Sequence, residues 1–175
     1  EMHYHQYYPV DVINGPGTRA TLFVSGCEHQ CPGCYNQSTW RLDGGKPFDE
    51  AMSDRIISDL NDTRIKRRGL SLSGGDPLHP ANVPHVLALV KRVRAECPGK
   101  DIWCWTGYLL GELSEAQREL VEAFPIPMVV TSIPEHEVLH SNAPAAQWLG
   151  GRRADPWAMG LEPGVRARFF QRLAD

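Results

Sequence analysis

The apolar positions of the chain switch repeatedly between a period near two and a period near four. Thr21-Leu22-Phe23-Val24 is a short β-rich run that ends at Ser25-Gly26, the composition of a strand entering a loop. Phe48, Met52, Ile56 and Leu60 recur every four residues and mark one face of a helix. Leu70-Ser71-Leu72-Ser73 alternates as a strand does, and Gly74-Gly75-Asp76-Pro77 breaks it. Val86, Leu89, Val90 and Val93 predict a second helix. Its last turn is basic (Lys91, Arg92, Arg94), as the helix macrodipole favours, and Pro98-Gly99 stops it. Ile102 to Trp105 reads as a third strand, with Trp103 and Trp105 expected on opposite faces. Ser114 and Gln117 form a candidate capping box for a third helix carrying Leu120 and Val121. Strand and helix alternate, which predicts an α/β fold built from βα units on a parallel sheet. Each polar segment of interest then falls just after a strand, on the edge where such sheets put their ligands.

From about Phe124 this regularity fades. The first 123 residues hold eight prolines and all four lysines, whereas the last 52 hold six prolines, five arginines and no lysine. Ile126 to Thr131 is compatible with a strand, and no clean period follows it. The expected organisation is therefore a core over 1–123 and a divergent C-terminal tail over 124–175.

Composition narrows the class without naming the chemistry. The chain has 175 residues, 42% hydrophobic and 22% charged, a length and balance ordinary for one soluble domain. That excludes a long disordered chain and a coiled coil, and no apolar run is long enough for a membrane helix. The net charge of -3 leaves no footprint for non-specific nucleic-acid binding. Glu1 ahead of Met2 is expected to be an expression remnant, and no secretory signal follows. The expected compartment is the cytoplasm, where clustered cysteines more often bind metal or do redox chemistry than pair as disulfides.

Five cysteines are present, and three of them, Cys27, Cys31 and Cys34, share one loop with the spacing C-x3-C-x2-C. Three neighbouring thiolates repel one another and favour a metal that neutralises them, and soft sulfur selects zinc, copper(I) or an iron–sulfur cluster. A structural zinc site needs a fourth ligand. His29 lies between the cysteines, where an exposed position is expected, and Cys97 and Cys104 are expected to be buried apolar residues. Three ligands point to a cluster with one iron left open. A zinc knuckle, and cysteines merely tolerated in a loop, are the other two readings.

C-x3-C-x2-C after a first strand resembles the radical S-adenosylmethionine superfamily. Further segments resemble, in order, the anaerobic ribonucleoside-triphosphate reductase activating proteins. These are Tyr7 to Val12, Asn14-Gly15-Pro16-Gly17-Thr18-Arg19, Phe23 to Cys27, Cys34-Tyr35-Asn36 and Ser38-Thr39-Trp40. Leu60-Asn61-Asp62, Leu72 to Leu78 and Trp105-Thr106-Gly107-Tyr108 complete the series. The match covers about the first 120 residues.

The resemblance implies a small single-domain radical S-adenosylmethionine fold, either an incomplete parallel (β/α) barrel or a curved open sheet. It implies that Cys27, Cys31 and Cys34 hold a [4Fe–4S] cluster whose open iron chelates S-adenosylmethionine. Reductive cleavage of that cofactor gives a 5′-deoxyadenosyl radical, which takes a hydrogen atom from a glycine of the reductase large subunit. No catalytic side chain is implied, because the radical arises at the cluster. Ser73, Gly74, Gly75 and Asp76 would receive the cofactor's amino end, where a backbone carbonyl and the Asp76 carboxylate are suitable acceptors. Glycines without Cβ would let the backbone approach the ligand closely. Tyr35 and Asn36 would lie by the adenine through their backbone, and Thr106 would sit near the cavity. The reductase large subunit and a flavodoxin-like electron donor are the implied partners. An activase for another glycyl-radical enzyme, such as pyruvate formate-lyase, and a non-catalytic zinc-binding interaction module are the alternatives. Arg64, Lys66, Arg67 and Arg68 read as a solvated basic turn, with docking of the reductase as the other reading, and Asn14 to Arg19 reads as a plain turn.

The resemblance stops where the composition changes. The family continues into a strand with Asp-Gly-Lys/Arg-Phe/Tyr and ends near Arg-Gly-Ser-x-Asn-Gln, and this chain has neither. Pro127-Met128-Val129-Val130-Thr131 is encoded CCN ATG GTN GTN ACN, and read from the last base of the proline codon this becomes NAT GGT NGT NAC. That frame forces a glycine and permits Asp-Gly-Arg-Tyr. A shifted frame near codon 124 would leave a tail not selected to pack, poorly ordered after about Thr131. A genuinely divergent C-terminus is the competing reading.

Overall fold

A computed structural model describes residues 1–109 and 113–124, together with the backbone of Val129–Thr131 and Val138–Ser141. The strands are β1 (His3–Asp11), β2 (Arg19–Val24), β3 (Lys46–Pro47), β4 (Gly69–Gly74), β5 (Asp101–Cys104), β6 (Val129–Thr131) and β7 (Val138–Ser141). The helices are α1 (Glu50–Asn61), α2 (Val83–Glu96) and α3 (Glu115–Ala123), with a 3-10 turn at Gln37–Thr39. Five strands form one open sheet in the order β3-β1-β2-β4-β5, and β6 pairs with β7 antiparallel.

The α/β class is as the alternation predicts, but the sheet is mixed. β2, β4 and β5 run parallel, whereas β1 pairs antiparallel with both β2 and β3. The seven residues from Val12 to Thr18 form a hairpin-like return rather than a helical crossover, so the first two strands must oppose each other. β1 also alternates by face. Tyr7 donates its hydroxyl to Asp59 of α1 at 2.7 Å, while Tyr8 meets the Phe23 ring edge-on at 5.6 Å.

Strand alternation separates the two faces of the sheet. Ala20, Leu22, Val24, Leu70, Leu72 and Ile102 are all buried in one core with Met52, Ile56 and Leu60 of α1, Val86, Leu89, Val90 and Val93 of α2, and Leu120 and Phe124. The intervening residues, Arg19, Thr21, Ser71 and Ser73, are buried and polar. Thr21 donates to the Asp11 carboxylate at 2.6 Å, and Ser71 lies against the Asn14–Arg19 segment. Ser71 donates to the Asn14 carbonyl at 2.6 Å, and the Trp105 indole donates to the same oxygen at 3.2 Å.

Two local expectations change. Trp103 and Trp105 have ring centroids 6.0 Å apart and so share a face, as residues two apart on a strand must. Arg67 is buried rather than solvated and donates to the carbonyls of Pro9 and Asp59. Arg64 folds back on Asp62, and Arg68 pairs with Asp101 at 3.3 Å. The Ser114 capping box is present in full, with the Gln117 side chain accepting from the Ser114 N–H at 2.8 Å. The tail expectation, and any strand over 126–128, lie outside the described residues. Among those residues, no helix is long and apolar enough to cross a membrane.

Candidate iron–sulfur site

Three parallel strands end side by side at Val24, Gly74 and Cys104, and the loops leaving them meet. The loop after β2 carries the cysteines, and its stem is held from every side. The Ser25 N–H donates to the His3 carbonyl at 2.9 Å, and Gly26 and Cys27 donate to Thr39 and Trp40 at 2.7 and 3.0 Å. On the other flank, Gly75 donates to Val24 at 2.8 Å and Asp76 to Gly26 at 2.7 Å. Asn82, buried at the start of α2, donates to the carbonyls of Ser25 and Asp76 at 2.9 and 3.3 Å.

The Gly74-Gly75 pair has a structural reason for lacking side chains. Gly74 has φ +101°, and a Cβ there would lie 2.5 Å from the Val24 carbonyl oxygen. A Cβ on Gly75 would lie 2.5 Å from the Gly26 carbonyl oxygen. The close approach these glycines permit is thus to the stem of the cysteine loop itself.

Beyond the stem, Cys27 and Cys34 are half-buried and Cys31 is exposed, all as free thiols. Gln30 and Gly33 take left-handed backbone conformations, and Cys34 donates back to the Cys31 carbonyl at 3.1 Å. The Asn36 N–H points at the Cys34 sulfur at 3.3 Å, the kind of backbone contact that orients a metal-bound sulfur. Burial pushes the Cys27 thiol up, the His29 backbone N–H opposes this, and Asp76, Cys31 and Cys34 add to the rise. Among the described residues no three His, Cys, Asp or Glu side chains already converge as a metal-holding group. The donor chemistry fits an iron–sulfur cluster all the same: three soft sulfurs on one loop, a rigid stem and a backbone N–H directed at one of them.

Asp76 is the best-connected side chain at this edge. It is 1% exposed. Its Oδ1 accepts from the Leu78 N–H at 2.9 Å and the Thr106 hydroxyl at 2.8 Å. Its Oδ2 accepts from His29 Nε2 at 2.9 Å and from the Gly107 N–H at 2.9 Å. Four donors match the roughly four lone-pair sites of a carboxylate. An ammonium group would bind the Asp76 side chain only after one of them leaves.

His29 is therefore not the exposed loop residue expected from sequence. Its side chain is 21% exposed, and its ring packs edge-on to Tyr108 with centroids 4.6 Å apart. The neighbouring Glu28 makes a second contact, 3.3 Å from Nε2 of the buried His79. His79 Nδ1 accepts from the Ala81 N–H, so Nε2 carries the proton that faces Glu28. Tyr35 projects fully into solvent and Asn36 is half-buried, while Ser73 is buried on the polar face of the sheet. Cys97 is buried with its sulfur 3.9 Å from the Ile57 carbonyl, and Cys104 packs against the core. Burial lifts both thiols. The residues that sequence reasoning missed, His29, His79 and Asn82, act through contacts across 47, 51 and 57 positions, a range over which no spacing rule reaches.

Residues 13–144 match the model of the 4Fe-4S single cluster domain. The chain is 73% identical over 121 residues to the anaerobic ribonucleoside-triphosphate reductase-activating protein of Escherichia coli K12, covering 69% of this chain and 79% of that protein. It is 58% identical over 149 residues to the protein of the same name from Vibrio cholerae, covering 85% and 93%. With the phage T4 protein of that name the identity is 45% over 116 residues, covering 66% and 73%. On the strength of these matches, the chain belongs to the family of anaerobic ribonucleoside-triphosphate reductase-activating proteins, which here contains a single-cluster 4Fe–4S domain.

Proposed function

We propose that the chain activates an anaerobic ribonucleotide reductase by generating a glycyl radical on its large subunit, using a [4Fe–4S] cluster and S-adenosylmethionine. The observation that carries this reading is the three-cysteine loop locked by its stem to the Gly74-Gly75-Asp76 turn, in a chain whose relatives are named reductase-activating proteins. Cys27, Cys31 and Cys34 would hold the cluster, leaving one iron free for a ligand. Once reduced by an external one-electron donor, the bound cluster would supply the electron that splits the cofactor's sulfonium C–S bond into methionine and a 5′-deoxyadenosyl radical, which would take the glycine Cα hydrogen atom to leave 5′-deoxyadenosine and a glycyl radical.

The chain's own residues bind, orient and shield. Backbone groups of Ser73, Gly74 and Gly75 lie at the edge beside the cysteine loop. Tyr35 and Asn36 follow the last cysteine, and Thr106 stands on the Asp76 carboxylate. Asp76 belongs to this cofactor set through its backbone and through the donors it gathers. No side chain is asked to act as general acid or base. The reading includes an incomplete-barrel radical S-adenosylmethionine fold, a flavodoxin-like electron donor and a cytoplasmic setting.

Protein purified without oxygen is expected to contain about four irons with matching acid-labile sulfide per chain. Reductant and S-adenosylmethionine should then yield 5′-deoxyadenosine, and addition of the reductase large subunit should give a glycyl-radical signal by electron paramagnetic resonance. Zinc in place of iron would sink the enzyme reading. Radical formation on pyruvate formate-lyase but not on the reductase would move it to the neighbouring activase.

A further inference from the structure

Two side-chain pairs tie the cysteine loop to the neighbouring strand ends, and both use residues between Cys27 and Cys31. They differ in depth. Glu28, which faces His79, is 69% exposed, so water screens that pair. Asp76, which faces His29, is 2% exposed in its side chain. Three of the four donors on the Asp76 carboxylate, the Leu78 N–H, the Thr106 hydroxyl and the Gly107 N–H, come from the turns after β4 and β5. The fourth, His29 Nε2, is the one contributed by the cysteine loop.

The His29 ring has a prepared seat. Tyr108 meets it at an interplanar angle of 72°, and a Cβ on Gly107 would lie 2.8 Å from its Cδ2. Between Cys27 and Cys34, the one backbone–backbone bond inside the loop is the turn from Cys34 to Cys31. A loop with so little internal bonding keeps its conformational entropy unless something outside pins it.

We propose that His29 is the positioning residue of the cysteine loop: through Asp76 it holds the Cys27–Cys34 segment against the ends of β4 and β5, so that the three thiols, not yet converged, stay on one restrained loop until iron draws them together. This rests on the reading of Cys27, Cys31 and Cys34 as cluster ligands. His29 itself touches neither iron nor substrate in this account. Its effect falls on the readiness of the loop.

The test compares the full-length chain with His29→Ala, His29→Gln and Cys34→Ser, all prepared without oxygen. Amide hydrogen exchange is read over residues 27–36 in iron-free protein. Cluster assembly is then followed after adding ferrous iron and sulfide, by absorbance and by iron per chain. His29→Ala should exchange at least tenfold faster across the loop, with α2 unchanged, and assemble the cluster at least fivefold more slowly. His29→Gln keeps an N–H donor at a similar reach and should stay within about twofold of the parent on both measures. Parent-like exchange and assembly in His29→Ala would overturn the proposal. So would a glutamine variant as defective as the alanine one, because the ring and not the bond to Asp76 would then matter. Cys34→Ser separates the two levels. Full iron and sulfide in that variant would remove the ligand reading and the proposal with it. A lost cluster there beside a normal His29→Ala would remove the positioning role alone.

Discussion

Arg19 looks from its neighbours like the last residue of a glycine-rich turn, yet its side chain is wholly buried. Its Nε donates to the Ser71 hydroxyl at 2.8 Å, Nη1 to the Pro16 carbonyl at 3.1 Å, and Nη2 to the Leu70 carbonyl at 2.9 Å and to Asp101 at 2.5 Å. Removing one partner of such a pair strands the others without donors. Arg19→Met should therefore lower the unfolding free energy by about 3 kcal/mol in urea titrations. Arg68→Ala, which removes an exposed partner of the same Asp101, should cost under about 0.5 kcal/mol. Asp11 gives a pH test on the same face. Burial pushes its carboxyl up, but the Thr21 hydroxyl, the Asn14 amide and backbone N–H groups outweigh that and hold it below the usual range. A depressed folded value means stability that is present above about pH 4 and lost as pH falls. Asp11→Asn should be less stable than the parent at pH 7, and the gap should narrow as pH falls below about 4. A gap that persists unchanged at pH 3 would assign the effect to packing instead.

At the scale of elements, the helices and the parallel strands were legible because each carries its own short-range signal. The four-residue spacing of Met52, Ile56 and Leu60 and the Ser114/Gln117 pair needed no knowledge of the rest of the chain. β1 was not legible as a strand. Its burial alternates only between half-buried and exposed, Pro9 interrupts it, and its aromatic residues divide between the two faces. Its antiparallel direction follows from a short return whose length is visible but whose path is not. The site divides in the same way. The three cysteines and the Gly74-Gly75-Asp76 turn are contiguous motifs, whereas the partners of Asp76 come from loops that only the parallel register of β2, β4 and β5 brings together. That register makes Gly75 a sensitive position. Gly75→Ala places a methyl against the Gly26 carbonyl oxygen, and overpacking of this kind costs about 1–3 kcal/mol. It should depress iron uptake as well as melting temperature, because the displaced backbone is the stem of the cysteine loop. Ser114→Ala offers the contrast. Loss of that cap should cost about 1 kcal/mol and leave iron per chain unchanged. An equal loss of iron in both variants would show that uptake follows global stability and not the stem.

For the whole molecule, the open matter is how the first 123 residues relate to the rest of the chain. The match to the Escherichia coli protein covers 121 residues, while the family model runs to residue 144 and the Vibrio cholerae match covers 149 residues. A shifted reading frame and a divergent C-terminus make different demands on the underlying DNA. A shift leaves the ancestral protein in another frame, so the bases spanning Pro127 to Thr131 should encode Asp-Gly-Arg-Tyr one frame away. The same frame should go on to an Arg-Gly-Ser-x-Asn-Gln ending. Divergence leaves no such second text, because substitutions accumulate in the frame that is translated. Sequencing the gene therefore decides the matter: absence of that ending from both alternative frames beyond codon 124 would reject the shift. The elements that build the site, β2, β4, β5 and the loops they carry, lie entirely within 1–123. If the shift is real, this chain and a frame-restored version should assemble the cluster to the same iron content. The stretch that differs contributes none of the cysteines, so a difference between the two should fall on the yield of glycyl radical on the reductase and not on iron.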